Sequence, residues 1–159
     1  MYLFSGQKES SRKSVKFIEK IMDTHSSDTV FNGGMQFTAT ISGHEVVMDS
    51  GREDGGKDSA ASPKKLLLAS LAGCTGMDIV MILDKMKVSY SDLRIHTEAQ
   101  LSEEHPRIYN KVKLTYTIKM AETDKIKMEK AVALSQDKYC GVSAMFKAFA
   151  DLQWTIHYL

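Results

Sequence analysis

The residues of this 159-residue chain best suited to chemistry are its two cysteines, Cys74 and Cys140. Cys74 lies in Leu-Ala-Gly-Cys-Thr-Gly-Met and Cys140 in Asp-Lys-Tyr-Cys-Gly-Val-Ser. Small neighbours leave space beside a sulfur atom, so a reactant or a second sulfur could reach it. Because the two positions are far apart in sequence, only the fold can bring the sulfurs together. A reversible pair would oxidise one sulfur to a sulfenic acid, which the other resolves as a disulfide.

Helical spacing predicts apolar surroundings for Cys74. The residues that share its helix face are Leu67, Leu71, Asp78 and Met81. Apolar surroundings raise the pKa of a thiol, and the Asp78 carboxylate would act in the same direction. A reactive thiolate at Cys74 therefore needs a nearby cation. Without a cation, Cys74 is a small buried hydrophobic residue.

Cys140 is predicted at or near the start of a helix that covers Val142. Exposed backbone N–H groups and the helix dipole favour a thiolate there, and Lys138 is close in sequence. The alternative is a cysteine that packs between two helices, which the neighbouring Tyr139 favours. Both interpretations remain open at this point.

Three cations are candidates for holding a thiolate: Arg52, Lys64 and Arg107. Arg52 lies in the loop before the Cys74 helix, and Arg107 lies at a strand start. Lys64 and Lys65 occupy the first helical turn, where a cation opposes the helix dipole at a cost of about 0.3–1 kcal/mol. The alternative for all of them is an ordinary solvated charge.

Hydrophobic periodicity predicts the elements that position these residues. They are a three-strand meander in 29–49, a helix from Ser62 to about Lys87, strands at 93–101 and 112–118, helices at 124–138 and 142–150, and a last strand at 152–158. The order βββ-α-ββ-αα-β indicates an α+β fold. We divide the chain into an N-terminal extension (1–28), predicted to be partly helical, and one domain (29–159).

The helix that carries Cys74 is apolar on nearly all its faces. It reads better as a buried core helix than as a membrane span, since two aspartates interrupt it. One six-strand sheet on one side would leave the opposite face uncovered. A second copy of the chain is the simplest cover, so we expect a homodimer with the Cys74 helix near its interface.

Composition excludes several classes of function. With 43% hydrophobic residues, 26% charged residues and a net charge of +1, the chain offers no basic surface for nucleic acid or anionic membranes. No secretory signal is recognisable, so we expect a cytoplasmic protein, where a disulfide is more often catalytic than structural. The five histidines lack ligand spacing and the glycine pairs are too sparse for a phosphate loop. We therefore predict no metal and no cofactor.

Two motifs resemble those of the OsmC/Ohr family of osmotically inducible and organic-hydroperoxide-resistance proteins. The first is Ser62-Pro63 followed by 66–74 and 77–80, and the second spans 131–143 around Cys140. The resemblance covers residues 29–159. It implies an intertwined homodimer with interfacial active sites, a peroxidatic Cys74 and a resolving Cys140. It also implies an organic hydroperoxide as substrate and a dithiol such as lipoamide as reductant.

The chain departs from the family pattern at the residue after Pro63. Characterised peroxidases of the family place a glutamate there, which pairs with the arginine that activates the cysteine, whereas this chain has Lys64. Arg52 matches that arginine only loosely. The sequence around Cys74 looks more like a less characterised OsmC-like branch, and our hypothesis is that Lys64 itself supplies the positive charge.

The sequence therefore predicts a thiol-dependent peroxidase with Arg52, Lys64 or Arg107 as the activating cation. Two alternatives use the same scaffold. One is a protein that binds a small apolar or acyl ligand without turnover, and the other is a redox sensor that signals to a partner protein.

Overall fold

The computed structural model describes residues 23–159, so most of the predicted N-terminal extension lies outside the described residues. Its main elements are β1 (Asp28–Gly33), β2 (Gln36–Ile41), β3 (His44–Met48), α1 (Pro63–Lys85), β4 (Tyr90–Leu101), β5 (Tyr109–Met120), α2 (Lys125–Leu134), α3 (Gly141–Lys147) and β6 (Asp151–Tyr158). The predicted α+β class and element order are confirmed.

The six strands divide into two sheets of three, not the single sheet considered from sequence. The first sheet is the antiparallel meander β1-β2-β3. Its tight turns use left-handed backbone at Gly33-Gly34 (φ 100° and 61°) and at Ser42-Gly43 (φ 50° and 82°). Two consecutive positive φ values match the twist of flanking strands, which explains the glycines. In the second sheet β5 is central, antiparallel to β4 and parallel to β6.

The hydrophobic core lies between the second sheet, α1 and α2. Strand β5 alternates with period two, so its inward side chains Val112, Leu114, Tyr116 and Ile118 are all buried. The facing residues Leu71, Ile79 and Leu83 of α1 and Met128 and Val132 of α2 are fully buried. This core fixes one face of α1, and with it the position of Cys74.

The opposite face of α1 is open. Leu67, Met77 and Met81 are 50%, 75% and 44% exposed. Within residues 23–159, α1 is the one helix long and apolar enough to cross a membrane, but core helices of soluble proteins meet the same criterion.

The segment that follows α2 differs from the sequence prediction. The predicted continuous helix at 124–138 ends as an α-helix at Leu134 and continues as a π-helical turn, Ser135–Tyr139. Asp124 makes no side-chain cap there and pairs instead with Lys127 at 2.7 Å. The predicted helix at 142–150 ends already at Lys147, because the chain must turn into β6. The π-helical turn places Cys140 at the start of α3.

Candidate active site

The structure brings the two sulfurs together beside a carboxylate. The side-chain ligand atoms of Cys74, Asp78 and Cys140 all lie within 4.8 Å of one another. Cys74 and Asp78 are four residues apart on α1 and so share a face, while Cys140 lies directly after the π-helical turn, at the start of α3. Both cysteines are free thiols. An S–S bond is about 2.05 Å long, so small side-chain movements suffice to join the sulfurs.

Cys140 is the N-cap residue of α3, which confirms its predicted place at a helix start. It is buried, and its Sγ accepts a hydrogen bond from the backbone N–H of Ser143 at 3.3 Å. The thiol thus takes the capping position that a serine or aspartate oxygen commonly fills. Its sulfur is fixed by the helix it caps.

Burial is the largest cause that raises the pKa of Cys74 above its ordinary value. Hydrogen bonding with Cys140 and the negative charges of Cys140 and Asp78 act in the same direction, whereas the backbone N–H of Val142 lowers the pKa. This confirms the sequence-based expectation that burial and the Asp78 carboxylate both raise the pKa of Cys74. Both charged groups that act on Cys74 in the described part of the chain are negative.

A buried chain of hydrogen bonds ends on Asp78, and its direction follows from the donor inventory. Ser135 Oγ donates to Asp78 Oδ2 at 2.9 Å, so its hydroxyl must accept from Thr75 Oγ1, also at 2.9 Å. The Thr75 hydroxyl in turn accepts from the Tyr116 hydroxyl at 2.8 Å. Gln136 Nε2 donates to the oxygens of Tyr116 (2.9 Å) and Thr75 (3.2 Å). The hydroxyl protons of Tyr116, Thr75 and Ser135 thus all point along this series toward the Asp78 carboxylate.

Tyr116 remains a hydrogen-bond donor over the physiological pH range. Burial raises its pKa to about 12, although the hydrogen bonds with Thr75 and Gln136 act in the opposite direction. Sequence reasoning did not assign Thr75, Tyr116, Ser135 or Gln136 to the site. The one available signal was a polar Thr75 in an apolar helix, directly after the cysteine.

The three candidate cations lie elsewhere in the chain. Lys64 Nζ donates to the backbone oxygen of Arg107 at 2.8 Å, and Arg107 Nε donates to the Ser102 oxygen at 3.2 Å. Lys64 precedes Cys74 by ten helical residues, a rise of about 15 Å. Arg52 is exposed in a short 3-10 turn, Arg52–Asp54. The structure thus joins Lys64 to Arg107 but places neither beside the thiols of the same chain, and their catalytic role stays a prediction.

Comparison with known proteins gives the class of protein. The model of the OsmC-like protein family matches residues 56–155, which include both cysteines and the whole hydrogen-bonded chain. Protein YhfA of Escherichia coli K12 is 30% identical over 113 residues, which cover 71% of this chain and 81% of YhfA. The chain therefore belongs to the OsmC-like family, as its motifs indicated.

Solved structures share the fold. A hypothetical protein from Aquifex aeolicus VF5 superposes with a TM-score of 0.71 at 27% identity, covering 87% of this chain and 99% of the other. An organic hydroperoxide resistance protein from Legionella pneumophila superposes with a TM-score of 0.64 at 18% identity, covering 87% and 99%. At that identity the second likeness shows the fold alone.

Proposed function

We propose that this protein is a thiol-dependent peroxidase that reduces organic hydroperoxides, with Cys74 as nucleophile and Cys140 as resolving thiol. The observation that carries the proposal is the approach of two free sulfurs to within 4.8 Å. A lone buried cysteine could be a packing residue, but two cysteines from distant segments that meet beside a carboxylate form a redox pair. Membership of the OsmC-like family, whose fold an organic hydroperoxide resistance protein from Legionella pneumophila also has, is consistent with this substrate class.

The reaction has three balanced steps. The Cys74 thiolate attacks the distal oxygen of ROOH, the O–O bond breaks, and a proton converts the departing alkoxide to ROH. The resulting sulfenic acid condenses with the Cys140 thiol and releases water, which leaves a disulfide. A dithiol reductant of the lipoamide type then exchanges with that disulfide and leaves as its own disulfide, restoring two thiols. No metal or organic cofactor takes part in these steps.

The thiolate needs positive charge, and no cation among residues 23–159 of its own chain acts on Cys74. We propose that the active protein is a homodimer and that the second subunit brings one of Arg52, Lys64 or Arg107 to Cys74. The open face of α1 supports this arrangement, since a helix with exposed leucine and methionine side chains requires an apolar partner. Val30 and Phe31 of the first sheet are also exposed apolar side chains. We place the protein in the cytoplasm, where dithiol reductants maintain such a pair.

Peroxide consumption tests the proposal. Reduced protein, cumene hydroperoxide and dihydrolipoamide are mixed, and peroxide loss is followed for the wild type, Cys74→Ser and Cys140→Ser. We expect turnover by the wild type and none by Cys74→Ser. In a parallel assay without dihydrolipoamide, Cys140→Ser should consume about one equivalent of peroxide and accumulate a sulfenic acid that dimedone labels at Cys74. Equal rates for wild type and Cys74→Ser would remove the support for an enzyme.

A groove near the site supports a second candidate function, the binding of a small apolar or acyl ligand without turnover. Its volume is about 250 Å³, and it is lined by Met81, Ile82, Lys85, Met86, Leu134 and Tyr139. An acyl chain would contact the apolar side chains while its head group meets Lys85. Saturable binding of a fluorescent fatty acid without any peroxide loss would favour this function over the peroxidase. The redox-sensor alternative requires a partner protein and has no separate structural support.

A further inference from the structure

The three side chains that meet at the site are also a metal-ligand set. We propose that Cys74, Asp78 and Cys140 of the reduced protein bind one zinc-class divalent cation through two thiolates and one carboxylate oxygen. This inference is independent of the peroxidase proposal, because it concerns what the reduced thiols bind and not how they react with peroxide. It departs from the sequence-based prediction of no metal, which considered the cysteines with histidines and not with an aspartate.

The distances suit such a site. In tetrahedral zinc sites the Zn–S and Zn–O bonds are about 2.3 and 2.1 Å, which separates neighbouring ligand atoms by about 3.6–3.8 Å. The ligand atoms here lie within 4.8 Å of one another, so closure requires movements of about 1 Å. Side-chain rotations on α1 and at the start of α3 can supply movements of that size. Three protein ligands leave a fourth position for water, as in open zinc sites.

Neighbouring groups hold the proposed ligands in place through hydrogen bonds. Ser135 Oγ donates to Asp78 Oδ2 and is itself held by Thr75, which fixes the carboxylate and leaves its other oxygen for a metal. The N–H of Ser143 donates to Cys140 Sγ at 3.3 Å, which orients the sulfur. Such outer hydrogen bonds orient metal ligands and raise their affinity.

Electrostatics favours the same conclusion. Two thiolates and a carboxylate within 4.8 Å repel one another, and a divalent cation at their centre converts the repulsion to attraction. A bound ion displaces the thiol protons and occupies the lone pairs that attack a peroxide. Metal binding and disulfide formation are therefore mutually exclusive, so free zinc would hold the pair reduced and inactive toward oxidants.

Cobalt provides the spectroscopic probe. Reduced, full-length protein is titrated with Co²⁺ without oxygen, and Zn²⁺ is then added as competitor. We expect thiolate-to-cobalt charge-transfer absorption in the near ultraviolet that saturates at one ion per chain and disappears with Zn²⁺. Absence of this absorption in the wild-type protein overturns the inference without recourse to any variant. The measurement uses no peroxide, so it stands or fails separately from the enzymatic proposal.

Variants identify the ligands. Cys74→Ser and Cys140→Ser should each weaken Zn²⁺ binding and reduce the charge-transfer band, and Asp78→Asn should lower the affinity by at least about 10–100-fold. Asp84→Asn, exposed on the same helix, is the matched control and should bind as the wild type does. Thermal unfolding of the metal-free variants checks that each is folded. Wild-type affinity in folded Asp78→Asn would exclude the carboxylate and refute the proposed site.

Discussion

The surroundings of Cys74 work against its own ionisation. Burial, the adjacent thiol and the Asp78 carboxylate all raise its pKa, and the single N–H of Val142 does not outweigh them. Ordinary thiols titrate near pH 8.5, so Cys74 in an isolated chain is mostly protonated at neutral pH. In the proposed peroxidase, a cationic side chain of a second subunit therefore has to offset these effects, since the described residues 23–159 show no cation acting on Cys74.

Alkylation should report the contribution of Asp78 to this pKa. Because the Cys74 pKa is raised, the rate of iodoacetamide labelling in the metal-free protein should continue to increase with pH beyond the titration range of a free thiol. Asp78→Asn removes one negative charge, so the midpoint of the profile should move to lower pH. Mass spectrometry of the Cys74 peptide gives the rate, and Asp84→Asn is the control. An unchanged midpoint in Asp78→Asn would show that the carboxylate does not act on the sulfur.

Tyr116 supports the site from within the core. Tyr116→Phe removes the hydroxyl that donates to Thr75 and accepts from Gln136, so each of these buried side chains loses one hydrogen bond. We expect the free energy of unfolding to fall by about 1–3 kcal/mol, as is usual for a broken buried hydrogen bond. Urea denaturation measures it. Tyr90→Phe, a half-buried tyrosine outside this network, should change stability by less than about 0.5 kcal/mol; equal losses for both variants would contradict the assignment.

Two elements determine which residues reach the site. Helix α1 presents Cys74 and Asp78 because they are one turn apart, and the π-helical turn brings in Ser135, Gln136 and Cys140. In that turn the Cys140 N–H donates to the Ser135 oxygen at 2.9 Å, five residues back. The wider turn directs Ser135 and Gln136 inward. A regular α-helix through residue 138 would rotate these side chains to another face.

The loop before α1 is fastened by the buried Asp49. Its carboxylate accepts hydrogen bonds from the backbone N–H groups of Ser50, Lys57 and Ser59 and from the Ser59 hydroxyl, at 2.7–3.1 Å. The Ser59 side chain is the largest cause that lowers the Asp49 pKa below its ordinary value, followed by the backbone donors. This loop carries Arg52, so Asp49 also positions one of the candidate cations.

Asp49→Ala should therefore accelerate amide hydrogen exchange at Lys57 and Ser59, with exposed Asp54→Ala as control. The pH dependence has a defined sign. A lowered folded-state pKa means that the carboxylate stabilises the loop above its unfolded-state value, near pH 4, and that this stabilisation is lost as pH falls through the folded-state value. Loop protection in the wild type should thus disappear only in acid. Identical exchange in Asp49→Ala and wild type would contradict the assigned role.

At the scale of the molecule, the distribution of apolar surface supports the proposed homodimer. One face of α1 packs on the second sheet and α2, and the other presents Leu67, Met77 and Met81 to solvent. The first sheet exposes Val30, and Phe31 contacts Phe37 at its surface with tilted rings whose centroids are 5.2 Å apart. A soluble monomer rarely exposes apolar surface to this extent.

Met77→Asp tests the proposed dimer. A charge in a desolvated interface costs several kcal/mol, so the dissociation constant of the dimer should increase by more than about tenfold. Light scattering during size-exclusion chromatography measures the mass, and peroxidase activity should fall in parallel. Met77→Leu keeps the apolar contact and should remain dimeric. A monomeric wild-type protein with full activity would contradict the role of the second subunit.

Local sequence patterns predicted much of the secondary structure of this protein and its family. Period-two alternation gave the strands, Ser62-Pro63 gave the start of α1, and the motifs around Cys74 and Cys140 gave the family. Helical spacing also placed Asp78 beside Cys74. Each of these inferences uses neighbours within a few residues, where backbone geometry alone relates sequence position to spatial position.

Only the tertiary structure decided that the two sulfurs meet, that Ser135, Thr75 and Tyr116 form a chain behind Asp78, and that the six strands split into two sheets. These facts depend on contacts between segments far apart in the chain. The π-helical turn contributes as well, because its residues Ser135 and Gln136 hydrogen-bond to Thr75 of α1 and Tyr116 of β5, which are distant in sequence. The sequence determines which reactive side chains are present. Which distant side chains meet is determined by the close packing of the core.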